Sequence, residues 1–215
     1  MFRLKPVKLH DCHEHGAGSE LFIVEGDSAS KSVCRARRVH CQAVLPMQGK
    51  PMNAYKASKA AVGRNELYQA LINSIGAGWG DDFKVDDARY ERVILLFDPD
   101  ADGIHCGALM SMFFYRWMRP LMEAGRVGVI RPPLYEISSP TSDDKLHAYT
   151  DSQYRKLREE LDSKEIEFTG QRYRGLASMN DMALFTTCID PETRNLNRLE
   201  LDDAEAAIRV FVGDV

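Results

Sequence analysis

The run Arg92–Phe97 (RVILLF) leads straight into Asp98–Gly103 (DPDADG), and a long stretch rich in apolar residues follows as far as Ala124. Val93 to Phe97 are all apolar, which is how a strand buried on both faces reads. A second short apolar run, Glu20–Glu25 (ELFIVE), also ends in an acid and is punctuated by Gly26-Asp27-Ser28. Helical segments follow both runs, at Ser28–Arg38 and at about Ile104–Ala124. Gln42–Leu45 and Val127–Ile130 read as two more strands. Strand and helix alternating in this order imply right-handed crossovers and a parallel sheet flanked by helices, an α/β fold. Ligands of such sheets sit at the C-terminal ends of the strands. Glu25 and Asp98 fall there, with Asp100 and Asp102 behind them at alternating spacing.

The other elements are read from caps and period. Asn65 is the predicted N-cap of a helix with Leu67, Leu71, Ile72 and Ile75 on one face, stopped by Gly76 to Gly80. The texture changes after Pro132-Pro133. Asp151 is predicted to cap a polar helix to Leu161, Ile166–Phe168 to form a short strand, Asn180 to cap a helix through Thr187, and Asp202 another through Phe211. The expected organisation is a lead-in over 1–18, an α/β core over 19–137, and a small α+β tail over 138–215 packed on that core.

Hydrophobic residues make up 44% of the 215 residues, enough for an ordinary core. The longest apolar runs are far shorter than a membrane span, and no apolar stretch follows the basic N-terminal residues, so neither a membrane segment nor a signal peptide is expected. The five cysteines are odd in number and include no Cys-x-x-Cys pair, which fits a reducing cytoplasm. A net charge of −4 argues against a passive nucleic-acid-coating protein. The positive charge is nonetheless clustered, at Lys31–His40, at Lys50–Arg64, and at Arg172 and Arg174.

Four carboxylates gathered in one place cannot all stay ionised without compensation. A hard, oxygen-seeking cation such as Mg²⁺ supplies it with few protein ligands. D-x-D-x-D-G also resembles the start of a calcium loop, but a strand precedes it and the loop-closing Glu is absent. A solvated turn is the remaining bland reading. His10–His15 (HDCHEH) invites a zinc reading, although its spacing is not that of a structural zinc site.

The same residues carry a family resemblance. EGDSAS at Glu25–Ser30, PMQGKPMN at Pro46–Asn53, DPDADGIH at Asp98–His105, PPLYEI at Pro132–Ile137 and QRYRGLASMN at Gln171–Asn180 occur in that order. KLHDC at Lys8–Cys12 and TTCIDPETR at Thr186–Arg194 extend the series to nearly the whole chain. The series resembles the motifs of the B subunits of type IIA DNA topoisomerases, gyrase and topoisomerase IV. The resemblance implies a Toprim fold, a Rossmann-like parallel sheet flanked by helices. It implies that Glu25, Asp98 and Asp100 hold catalytic Mg²⁺, replaceable by Mn²⁺, with Asp102 supporting. It places Lys50 and Asn53 at positions of DNA contact, His105 near DNA or in the loop, and Arg172 and Arg174 among the DNA-facing cations. The implied reaction is reversible transesterification of double-stranded DNA, with the attacking tyrosine supplied by an A-type partner subunit. No P-loop or other nucleotide motif is present, so no ATP site is expected in this chain.

Four departures from the family pattern bear on activity. EGDSAS lacks the two glycines of EGDSAGG, Pro99 enters the acidic loop, GIHCGALM lacks a basic residue after the histidine, and RYRGLASMN loses a glycine and an acid. The alternative reading is therefore a non-catalytic module that binds DNA or an A-type partner and modulates a full topoisomerase. A third is a standalone Toprim nuclease.

Overall fold

A computed structural model describes residues 8–213; residues 1–7 of the expected lead-in lie outside them. The chain runs β1 (Gly16–Glu25), α1 (Gly26–Ala36), β2 (Gln42–Met47), α2 (Lys59–Arg64), α3 (Glu66–Ile75), β3 (Tyr90–Leu96), α4 (Ala101–Trp117), α5 (Arg119–Glu123) and β4 (Val127–Ile130). It continues through β5 (Tyr135–Ser139), β6 (Ser142–Ala148), α6 (Asp151–Ser163), β7 (Thr169–Arg172), α7 (Asp181–Leu184), β8 (Leu196–Arg198) and α8 (Leu201–Val212). The main sheet has the order β2-β1-β3-β4-β8. Its first four strands are parallel, and β8 pairs antiparallel with β4. The sheet is thus mixed rather than wholly parallel, because a tail strand occupies the edge that β4 would otherwise expose.

Residues alternate in direction along a strand, so β1 and β3 supply two apolar faces. Leu21, Ile23, Val93 and Leu95 pack with α3 and α4 residues such as Leu71, Met110 and Phe113. Phe22, Val24, Ile94 and Leu96 face the other way, against Ala29 and Val33 of α1 and against Tyr173, Leu176, Met179, Leu184 and Ile189. A sheet with parallel strands needs cover on both faces. One helix is too narrow for the second face, and the segment from Tyr173 to Ile189 completes it.

Several elements differ from expectation for local reasons. The expected single helix over 104–124 starts earlier, capped by Asp100, and breaks at Met118, whose φ is −143°. Pro120 lies in the first turn of α5, where its missing N–H costs nothing. Asn65 and Asn180 cap as expected, accepting from Tyr68 and Ala183 N–H. Thr150 rather than Asp151 caps α6, since Asp151 accepts the Tyr135 hydroxyl at 2.6 Å. Glu200 and Asp203, not Asp202, form the reciprocal cap of α8. After Leu184 the helix expected through Thr187 widens into a looser turn, Phe185–Ile189. The strand expected at 166–168 lies instead at Thr169–Arg172, in a separate antiparallel sheet of order β6-β5-β7. Among the described residues no helix is long and apolar enough to cross a membrane.

Candidate metal centre

Register places the acids. Val24 of β1 pairs with Leu96 of β3, so Glu25 and the residues just after Leu96 leave the same edge of the sheet side by side. Asp98 follows within one short turn. Asp100 Oδ1 accepts the Gly103 N–H at 2.8 Å and caps α4. Gly103 is required here: a Cβ on it would lie 2.0 Å from the carbonyl oxygen of Asp98. The D-x-D-x-D-G spacing therefore folds the first turn of α4 back onto Asp98.

A contribution not foreseen from sequence comes from the tail. The backbone N–H of Leu176 donates to Asp98 Oδ1 at 2.8 Å. Gly175, with φ +149°, is so close that a Cβ would lie 2.5 Å from Asp98 Oδ2. The glycine of QRYRGL is the only signal that could have hinted at this approach.

The field is strongly negative. Burial raises the Asp98 carboxyl above its ordinary range and the Asp100 charge adds to this, against the opposing Leu176 hydrogen bond. Burial also raises Glu25, with Asp100, Asp98 and Asp102 adding repulsion and Lys50 relieving part of it. Beneath them burial pushes the Cys106 thiol up to about 11, so Cys106 is a buried neutral thiol rather than a soft ligand. Asp102 is exposed and ion-paired with Lys50 at 2.9 Å, which holds its carboxyl low. The sequence reading expected all four carboxylates to converge. They share one field, but Glu25, Asp98, Asp100 and Asp102 supply no three oxygens within 4.8 Å of one another. Asp98 and Asp100 each have an oxygen engaged by a backbone N–H, and Asp102 turns outward to Lys50. Hard oxygen donors with surplus negative charge are the donor chemistry that suits a divalent cation.

Lys50 sits in an exposed loop after β2. That loop is pinned by the Tyr68 hydroxyl donating to Met52 O at 2.6 Å and Trp117 Nε1 donating to Ala54 O at 2.9 Å. Asn53 Oδ1 accepts from Tyr55 and Lys56 N–H and so shapes the loop. The His105 ring stacks on Phe211 of α8, with centroids 4.8 Å apart. Arg172 and Arg174 are exposed on either side of buried Tyr173. The Arg172 guanidinium lies 5.7 Å from the Tyr135 ring centroid. Arg174 immediately precedes Gly175, and its backbone N–H donates to Ser178 Oγ at 2.9 Å.

The basic stretch Lys31–His40 is largely engaged inside the molecule. Arg35 of α1 pairs with Asp181 and Arg38, just after α1, with Asp190, both joining this stretch to the tail, while Arg37 donates to the carbonyls of His10 and Asp11. Asp11, Cys12 and His15 do bring ligand atoms within 4.8 Å of one another. Asp11 already accepts from Tyr90 OH at 2.6 Å, from Cys12 N–H and from Arg89. Those hydrogen bonds outweigh burial and hold its carboxyl at about 2, while burial raises the Cys12 thiol. A guanidinium in contact with the acid disfavours a second cation, so this cluster serves as a knot tying the lead-in to β3.

Comparison with known proteins agrees with this architecture. The Toprim domain model matches residues 20–132, and the model for the DNA gyrase B subunit, carboxyl terminus, matches residues 165–213. The DNA gyrase B subunit of Thermotoga maritima is 44% identical over 207 residues, covering 96% of this chain and 32% of that protein. The gyrase B subunit of Archaeoglobus fulgidus is 42% identical with the same coverage. The DNA topoisomerase 4 B subunit of Streptococcus pneumoniae is 42% identical over 203 residues, 92% of this chain and 31% of that protein. The chain spans about a third of the length of these curated relatives. Both family models and the relatives lead to one assignment: the chain belongs to the Toprim family, and it joins its Toprim domain to the carboxyl-terminal region found in gyrase and topoisomerase IV B subunits.

Proposed function

We propose that this chain supplies the Mg²⁺-dependent half of a DNA cleavage and religation site, working with an A-type subunit that brings the tyrosine. The observation that carries this reading is the placement of Glu25 and Asp98 at the ends of adjacent parallel strands, with the Asp100 cap alongside. Glu25, Asp98 and Asp100 would hold the ion, with Asp102 supporting. An ion held there would supply charge stabilisation for the DNA 3′ oxygen. Glu25, whose carboxyl is raised by burial and by its acidic neighbours, is suited to exchange a proton with that oxygen in the two directions of reaction. Lys50 would meet a backbone phosphate as a point charge, which positions DNA without reading sequence. Asn53 holds the Lys50 loop in shape, and Arg172, Arg174 and His105 would add further contacts to DNA.

The test is cleavage in a mixed system. Chain, A-type subunit, supercoiled DNA and Mg²⁺ are expected to give 5′-phosphotyrosyl complexes trapped by detergent. EDTA or Asp98→Asn should abolish them. Cleavage that is indifferent to Asp98→Asn, or to omission of the chain, would leave only a non-catalytic binding module.

DNA binding by the chain alone is expected to be weak and to fall with salt, as phosphate contacts do. Lys50→Ala should weaken it equally for all sequences and lower the log–log salt slope by about 1. Fluorescence anisotropy across a salt series measures both. Unchanged affinity and slope would remove Lys50 from the contact surface.

A further inference from the structure

We infer that the tail segment Gly175-Leu176 is a positioning element of the metal centre, acting through Asp98. This rests on the reading of Asp98 as a metal ligand. A carboxylate on a short turn has rotational freedom about χ1 and χ2, and a ligand must lose that freedom when it binds an ion. Asp98 has already lost much of it. Its Oδ1 accepts the Leu176 N–H at 2.8 Å, and Gly175 closes on Oδ2 with no room for a Cβ. The clamp is itself rigid. Leu176 is fully buried against the second face of the sheet, and the turn Leu176–Ser178 is closed by Ser178 N–H to Gly175 O at 3.0 Å. Tyr173, just upstream, is buried and donates its hydroxyl to Glu136, which ties the segment to the small sheet. The tail therefore does more than cover apolar surface, because it aims a ligand that belongs to a different element. Partners of metal-ligating carboxylates commonly change metal affinity by about 10–100-fold when removed.

The geometry offers a clean test. The Leu176 N–H has no other partner among the described residues, and Leu176 is the first residue of its turn, where proline is tolerated. Gly175 has ψ 176°, the extended conformation that a following proline needs. Leu176→Pro thus removes the donor, whereas Leu176→Ala removes a comparable part of the side chain and keeps the donor. Mn²⁺ is titrated into the full chain by calorimetry, with metal-free melts in parallel. Leu176→Ala should bind Mn²⁺ within about twofold of wild type, and Leu176→Pro about 10-fold more weakly or worse, at similar metal-free melting temperatures. Equal Mn²⁺ affinity in the two variants overturns the inference. No Mn²⁺ binding by wild type overturns the metal-site reading itself, and the inference with it. Should the proline variant unfold, amide exchange of Leu176 decides in metal-free protein. The amide should be protected in wild type and released in Asp98→Ala, and protection that survives Asp98→Ala overturns the clamp.

Discussion

Arg194→Ala is expected to lower the melting temperature by on the order of 10 °C. Arg194 and Glu20 have side chains only 1% and 5% exposed, and they form a two-pronged ion pair. Arg194 Nη1 also donates to Ile189 O at 3.0 Å, and Gln42 donates to Glu20 Oε2 at 2.9 Å. Truncating one partner leaves a buried charge with too little compensation, a loss of about 3–5 kcal/mol. The nearest remaining cation, Arg92, stands 4.0 Å from Glu20 and is itself half exposed. Replacing both members, as in Glu20→Leu with Arg194→Met, should recover much of the loss, because it removes the stranded charge along with the bond. Glu20 begins the apolar part of β1 and Arg194 lies in the tail, so the single variant should also expose the tail to protease before the core. A single variant that melts with wild type would mean that the pair contributes little to docking the tail.

Gly103→Ala should be nearly as damaging, against the usual trend. In a helix interior the change ordinarily gains roughly 1 kcal/mol. Here the added Cβ would meet the Asp98 carbonyl carbon at 3.0 Å and its amide nitrogen at 3.1 Å, as well as the carbonyl oxygen. All three are backbone atoms that cannot swing aside, so the clash is expected to cost about 1–3 kcal/mol or more. Relief requires the first turn of α4 to move, which would spoil the Asp100 cap and the aim of Asp98 together. Gly107 lies one turn further along the same helix and provides the control. Its Cβ would touch only the Phe97 ring, at 3.8 Å. Gly107→Ala should melt at or above wild type, and Gly103→Ala clearly below it with weaker Mn²⁺ binding. Equal melting of the two variants would show that the loop does not fold back as tightly as described.

These residues also show how far the sequence could be read. ELFIVE and RVILLF were legible because a strand covered on both faces must be apolar throughout, and their terminal acids then had only one edge of the sheet to occupy. Asn65 and Asn180 were legible because side-chain capping is local. The hairpin of β5 and β6 was not: among its described side chains only Ile137 and Ala148 are buried beside the charged Glu136, so no alternation stands out. β7 is exposed along its length and leaves no hydrophobic trace. The break at Met118 was missed although Pro120 signals it, because the apolar residues continue across it. Arg35 and Arg38 read only as part of a positive cluster, since their partners Asp181 and Asp190 lie well over a hundred residues away along the chain. The Leu176 clamp was invisible for a deeper reason. Its donor is a backbone N–H, which every residue but proline carries.

The most direct measurement is a calorimetric titration of Mn²⁺ and Mg²⁺ into wild type and Asp100→Asn, with thermal melts in metal-free buffer. Asparagine caps a helix about as well as aspartate, so the bond to Gly103 N–H can persist. It also removes one of the charges that raise Glu25 and Asp98. The metal-free variant should therefore melt at or slightly above the wild-type temperature while binding both ions more weakly, and added DNA should improve wild-type binding more than variant binding. Equal metal affinity in the two proteins would contradict the assignment of Asp100 as a ligand, and a large loss of metal-free stability would make its role structural instead.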